Sequence, residues 1–170
     1  IRAVRDLALE NDYVFSIAWH SSRSGSLSEK VYNSWRWDGD KKTPDNTTIK
    51  GIGDQVAELI LKENSTDTYQ SLYGQTRNGT AHDWFYRATG CFQYLIECGT
   101  SNLQPDSALI EDTIDRLMPA MLFLMDRTIG YNTDAYQITG IVTDGSTGMP
   151  LEDATIIIDE LHSGVQKPRK

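Results

Sequence analysis

Seven residues near the start, Tyr13-Val14-Phe15-Ser16-Ile17-Ala18-Trp19, form an almost unbroken apolar run that stops abruptly at His20-Ser21-Ser22. A run of this length, rich in β-branched and aromatic side chains, is extended chain. Because it is apolar on both of its sides, it needs cover on both. That pattern belongs to a parallel or mixed sheet with helices packed on it. The chain therefore reads as α/β, with helices on a mixed sheet.

The segments around this strand fit that reading. Ahead of it, Ile1, Val4, Leu7 and Ala8 recur at helical spacing, with no capping residue before Ile1, so the chain reads as starting inside an element. Thr43-Pro44-Asp45 opens a second helix, whose buried stripe is expected to be Ile52, Val56, Leu59 and Ile60, with its end near Asn64. Residues 65–82 are polar and read as a long loop, and loops of that length in compact domains are usually functional or disordered. A strand follows over 92–97. The last helix spans 107–129, with Ile110, Ile114, Leu117, Met121, Leu122 and Met125 as its inward stripe and Pro119 as an expected kink.

After Gly130 the texture changes. Residues 136–143 are β-rich, Asp144-Gly145-Ser146-Thr147-Gly148-Met149-Pro150 is turn chemistry, and 154–158 is a second strand. About 35 residues are too few to bury a core of their own. The division expected is 1–133 for the helix-and-sheet part and 134–170 for the start of a β-sandwich.

Composition removes several classes of function. With 24 acidic against 16 basic residues the net charge is −8, and the only basic cluster is the terminal Lys167-Pro168-Arg169-Lys170. A nucleic-acid binder needs clustered Lys and Arg against phosphate. The longest apolar run, 120–125, falls far short of the roughly 20 residues of a membrane span. Cys91 and Cys98 flank an extended strand, which holds them too far apart to bridge and predicts free thiols.

Two residues stand where chemistry is expected. His20 directly follows the buried strand and Glu97 closes the other, and ligands of open α/β sheets gather at the carboxyl ends of strands. Strand alternation puts Gln93, Leu95 and Glu97 on one face, opposite Phe92, Tyr94 and Ile96. A histidine and a carboxylate so placed can converge on one cleft although 77 residues apart.

The order of motifs carries a resemblance. The strand ending in His20-Ser21 resembles the segment of zinc metallocarboxypeptidases that supplies their last zinc ligand. Trp35 and Lys42-Thr43-Pro44-Asp45 resemble the loop and helix start that come next in the bacterial members. Gly79-Thr80-Ala81-His82-Asp83-Trp84-Phe85-Tyr86 resembles the family segment G-x-x-x-D-W-x-Y, and fourteen residues beyond Asp83, at the family's distance, stands Glu97. Residues 138–151 resemble the first hairpin of the transthyretin-like domain found after many such catalytic domains.

The resemblance implies a zinc-dependent carboxypeptidase in which His20 binds Zn²⁺ and Glu97 is the general base. It implies Tyr73 as the substrate-contacting tyrosine with Tyr69 as competitor, His82 in the side-chain pocket and Ser21 at the site through its backbone. It also implies a peptide or protein C-terminus as substrate and a secreted or periplasmic location. The family's other zinc ligands come from an H-x-x-E motif that this sequence lacks, and its carboxylate-clamping arginines come from the same missing part. The expected partner is therefore the N-terminal part of the catalytic domain, without which the chain should neither hold catalytic zinc nor cleave. The alternatives are a non-catalytic peptide-binding or structural relative on the same scaffold, and cleavage of cell-wall peptides or glutamate side chains by the same chemistry.

Overall fold

A computed structural model describes residues 2–21, 28–34, 36–37, 41–73, 80–99, 104–131 and 140–156. In chain order the elements are α1 (Arg2–Glu10), β1 (Phe15–His20), β2 (Glu29–Asn33), β3 (Arg36–Trp37), β4 (Lys41–Lys42), α2 (Asn46–Glu58), β5 (Gln70–Tyr73), α3 (Ala81–Thr89), β6 (Phe92–Cys98) and α4 (Ser107–Thr128). Four strands make one mixed sheet in the order β1-β6-β2-β5, and β3 and β4 pair separately. β1 runs parallel to β6, β2 runs antiparallel to β6, and β5 runs parallel to β2. The expected helices on a mixed sheet are present.

The apolar alternation of β6 sets the core. Tyr94 and Ile96 are fully buried and meet Val31 of β2, Ile49, Ile52 and Val56 of α2, and Leu117, Ala120 and Leu124 of α4. Tyr94 also donates its hydroxyl to the Ile49 carbonyl at 3.0 Å, which satisfies the one polar atom that burial would otherwise strand. α2 is shorter than its sequence suggests. It ends at Glu58, Leu59 is exposed, and Ile60 is buried in the segment that follows, where its carbonyl accepts from the Tyr69 amide.

α4 departs from expectation in an instructive way. Its inward face is Leu117, Ala120, Leu124 and Arg127, whereas Ile110, Ile114, Met118, Leu122 and Met125 are exposed. The helix is apolar on two faces, so periodicity locates both but cannot say which one meets the sheet. Pro119 does not break it. Pro119 and Asp115, the residue whose carbonyl loses its partner, both face solvent, and water can take the freed oxygen. Val4 and Leu7 of α1, expected inward, are likewise exposed, and Ala8 is the buried residue of that helix.

Five elements are not legible in the sequence: β2, the two-residue strands β3 and β4, β5 and α3. β5 and α3 lie within or at the border of the stretch that reads as a long loop. The β-rich tail shows a turn but no sandwich among its described residues. Thr143 and Pro150 form an isolated antiparallel bridge, and Asp144 Oδ1 caps the turn by accepting from the amides of Ser146 and Thr147 at 2.8 Å. Residues 132–139 and 157–170, which hold 136–139 and 157–158 of the two expected strands, lie outside the described residues. Both cysteines are free thiols, as expected.

Candidate active site

β1 and β6 are parallel neighbours, so their carboxyl ends lie together, and the register pairs His20 with Glu97 directly. Both side chains fall on the same face, and His20 Nδ1 lies 3.1 Å from Glu97 Oε1. The two differ sharply in exposure, at 57% for the histidine side chain and 16% for the carboxylate. Glu97 Oε2 is buried and has no hydrogen-bond partner among the described residues. On the far side of the strand pair, the Cys98 thiol donates to the His20 carbonyl at 3.2 Å and ties the end of β1 to β6. The geometry is that of an open imidazole beside a sheltered carboxylate with one oxygen unengaged, a base in want of a proton donor.

Ser21 follows at once and is exposed. Tyr73 is not brought to this pair. It ends β5 opposite Asn33, and Asn33 in turn pairs with Tyr94, three residues before Glu97. Because β5 is antiparallel to β6, its last residue lies toward the amino end of β6, and the register puts Tyr73 on the core face, with Asn33 and Tyr94. Its ring lies 5.7 Å from Lys42 Nζ. Tyr69, the competitor, is buried, and burial pushes its phenol up to about 12.

His82 lies in the first turn of α3 and is buried, with Nδ1 lacking a hydrogen-bond partner among the described residues. Burial lowers its pKa below the usual histidine value, against the opposing influence of the Asp83 carboxylate. Two signs follow for stability. As pH falls below about 6.5, the unfolded chain takes up a proton at His82 that the folded chain resists, so stability drops. As pH rises above 10, the unfolded chain releases a Tyr69 proton that the folded chain keeps until about 12, so stability drops again. Urea midpoints measured against pH should therefore trace a plateau between these limits.

Lys30, across β6 from β1, shares the register line of His20 and Glu97. Gln93, four residues before Glu97 on the same face, is buried and donates from Nε2 to Ser16 Oγ at 3.0 Å. Sequence reasoning misses both. Lys30 belongs to a strand that hydropathy does not reveal, and the only signal for Gln93 is its place in the alternation of β6.

A mixed sheet flanked by helices, with a histidine and a carboxylate side by side at the carboxyl ends of two parallel strands, defines an α/β protein with a candidate acid–base centre. Residues 1–119 match the zinc carboxypeptidase family, and the chain belongs to that family. No curated protein matches the chain at a significant level.

A catalytic zinc takes three protein ligands and leaves one position open. No group of three His, Cys, Asp or Glu side chains able to hold a metal is present among the described residues. The exposed His20 imidazole suits one ligand of such a site, so the chain fits one corner of it. No described helix is long and apolar enough to cross a membrane.

Proposed function

We propose that this chain is the C-terminal part of the catalytic domain of a zinc carboxypeptidase, followed from about residue 134 by the start of a transthyretin-like domain. The observation that carries the reading is the His20–Glu97 pair, 3.1 Å apart, in a chain of this family. His20 would hold zinc as one of three protein ligands, the others coming from the N-terminal part of the domain, which is the partner the reading requires. Zinc, when bound, polarises the scissile carbonyl and makes a water more acidic.

The chain's own residues do the rest. Glu97 accepts the proton of the attacking water at Oε2, the oxygen that no group among the described residues engages. The water oxygen adds to the carbonyl carbon, the C–N bond breaks, and Glu97 returns the proton to the leaving amine nitrogen. The Glu97 Oε1 contact with the His20 ring fixes the carboxylate while Oε2 turns over its proton. A sheltered carboxylate keeps bulk water from competing for that proton. The mechanism uses nothing from Tyr73, which sits toward the other end of the sheet.

The experiment concerns metal. In the longer protein that joins this chain to the N-terminal part, His20→Ala should drop bound zinc from one per molecule to near zero by elemental analysis, because two remaining ligands hold Zn²⁺ poorly. Retention of stoichiometric zinc in His20→Ala would remove His20 from the metal site and the reading with it.

A further inference from the structure

Glu97 has a nitrogen-bearing neighbour on each side. Lys30 of β2 pairs with it across the antiparallel ladder, and His20 of β1 pairs with it across the parallel one. Residues directly opposite each other across a ladder share one side of the sheet. The three side chains therefore stand on one face in the order His20, Glu97, Lys30, with neighbouring strands about 4.8 Å apart.

Lys30 is half-buried. A lysine drawn out of water is normally paired with an anion, because desolvating an ammonium alone is costly. Two carboxylates lie next to Lys30 in the sheet, and neither takes this role. Glu97 Oε1 is engaged by the His20 ring, and its Oε2 has no hydrogen-bond partner among the described residues. Glu29 precedes Lys30 in β2, so strand alternation turns it to the opposite face, and its Oε1 accepts from the Glu63 amide. No ion pair among the described residues includes Lys30. A partly desolvated cation beside the proposed base thus stands without a counter-ion from these residues.

We propose that Lys30 takes the side-chain carboxylate of the residue that Glu97 releases, so that the preferred C-terminal residue is glutamate or aspartate. The inference rests on the peptidase reading above. The order along the rung carries the assignment. In that reading the scissile carbonyl lies on the His20 side of Glu97, and the leaving amine takes its proton from Glu97 itself. The released residue continues from that amine, and the side of the rung left to it is the one that holds Lys30. Its main-chain carboxylate falls to the arginines that the resemblance assigns to the N-terminal part, which leaves its side chain for Lys30. A compact ammonium on a flexible four-carbon stem suits a carboxylate and tolerates one methylene more or less. An apolar side chain would leave the ammonium unanswered, and a second cation would be repelled.

The test measures binding of the free amino acids that hydrolysis would release, so turnover does not enter. In the longer protein that joins this chain to its N-terminal part, calorimetric titration should give L-glutamate a dissociation constant about tenfold below that of L-glutamine. That ratio is one charge-assisted hydrogen bond's worth. The two amino acids are nearly isosteric and share the main-chain carboxylate, so the ratio isolates the side-chain charge. L-Aspartate should follow glutamate, and the advantage should shrink in salt of about 1 M. Lys30→Met, checked for folding by circular dichroism, should equalise glutamate and glutamine without weakening glutamine. Lys30→Glu should reverse the order and favour L-lysine. Equal binding of glutamate and glutamine by the unmutated protein, failure of glutamate to bind, or a preference that survives in Lys30→Met overturns the proposal. Glutamate selection in a protein that hydrolyses no glutamate-ending peptide would sink the peptidase reading and leave Lys30 as an anion site. Hydrolysis with no preference for an acidic residue would sink the selection alone.

Discussion

Glu97→Gln, in the protein assembled with its N-terminal part, is expected to keep its zinc and bind peptide while turnover falls by about 10²–10⁴-fold, the usual worth of a positioned general base. The amide preserves shape and its oxygen can still face the His20 ring, so neither the metal ligand nor the strand end is disturbed. What it loses is the basic oxygen at Oε2, the atom left without a partner. The assay compares a peptide bearing a free C-terminal carboxylate with the same peptide amidated. The unmodified enzyme should cut the first and spare the second. A rate within a few-fold of wild type for Glu97→Gln would make Glu97 a structural strand-end residue and end the proposed mechanism.

The second large effect is on stability. Replacing a helix-interior glycine by alanine usually stabilises a protein by up to about 1 kcal/mol. Gly53→Ala in α2 should do the reverse and destabilise by about 3–5 kcal/mol. A Cβ at Gly53 would lie 1.8 Å from Asn33 Oδ1 and 2.8 Å from its Cγ, with the Tyr94 ring at 3.1 Å. Asn33 cannot simply swing aside. It is fully buried, and its Nδ2 group donates to Ser71 Oγ at 2.8 Å and to the Leu72 carbonyl at 3.0 Å, which joins β2 to β5. Moving it would break both bonds inside the protein. Urea denaturation measures the loss, and Asn33→Ala in the same molecule should restore part of it. A Gly53→Ala protein as stable as wild type would show that α2 and β2 have slack at this contact.

The sequence makes some of this architecture readable and hides the rest for definite reasons. β1 and β6 are legible because apolar residues fill them almost without interruption, and their shared parallel direction places His20 beside Glu97. β2 and β5 are five and four residues long and carry Lys30, Asn33, Gln70 and Ser71. Asn33 is buried yet polar, so hydropathy reads it as surface. α3 opens after Thr80, whose hydroxyl bonds Asp83 Oδ2 at 2.6 Å, a local pattern lost among the polar residues that precede it. The placement of Tyr73 cannot be read at all before β5 is known, since strand direction alone decides which end of the sheet a residue reaches.

The two-faced helix α4 has a practical consequence for anyone who makes this chain alone. Its outward row of Ile110, Ile114, Met118, Leu122 and Met125 runs along the helix in contact with water. A row of that length, with an aliphatic or thioether side chain on nearly every turn, exceeds the scattered apolar exposure normal for a soluble surface. Expressed without a covering partner, the chain should bind a hydrophobic fluorophore in its native state, and its apparent size in gel filtration should grow with concentration. Replacing Ile114 and Leu122 with glutamate would suppress both behaviours and leave the sheet untouched, which makes that pair the natural first change for preparing the samples that every other measurement needs.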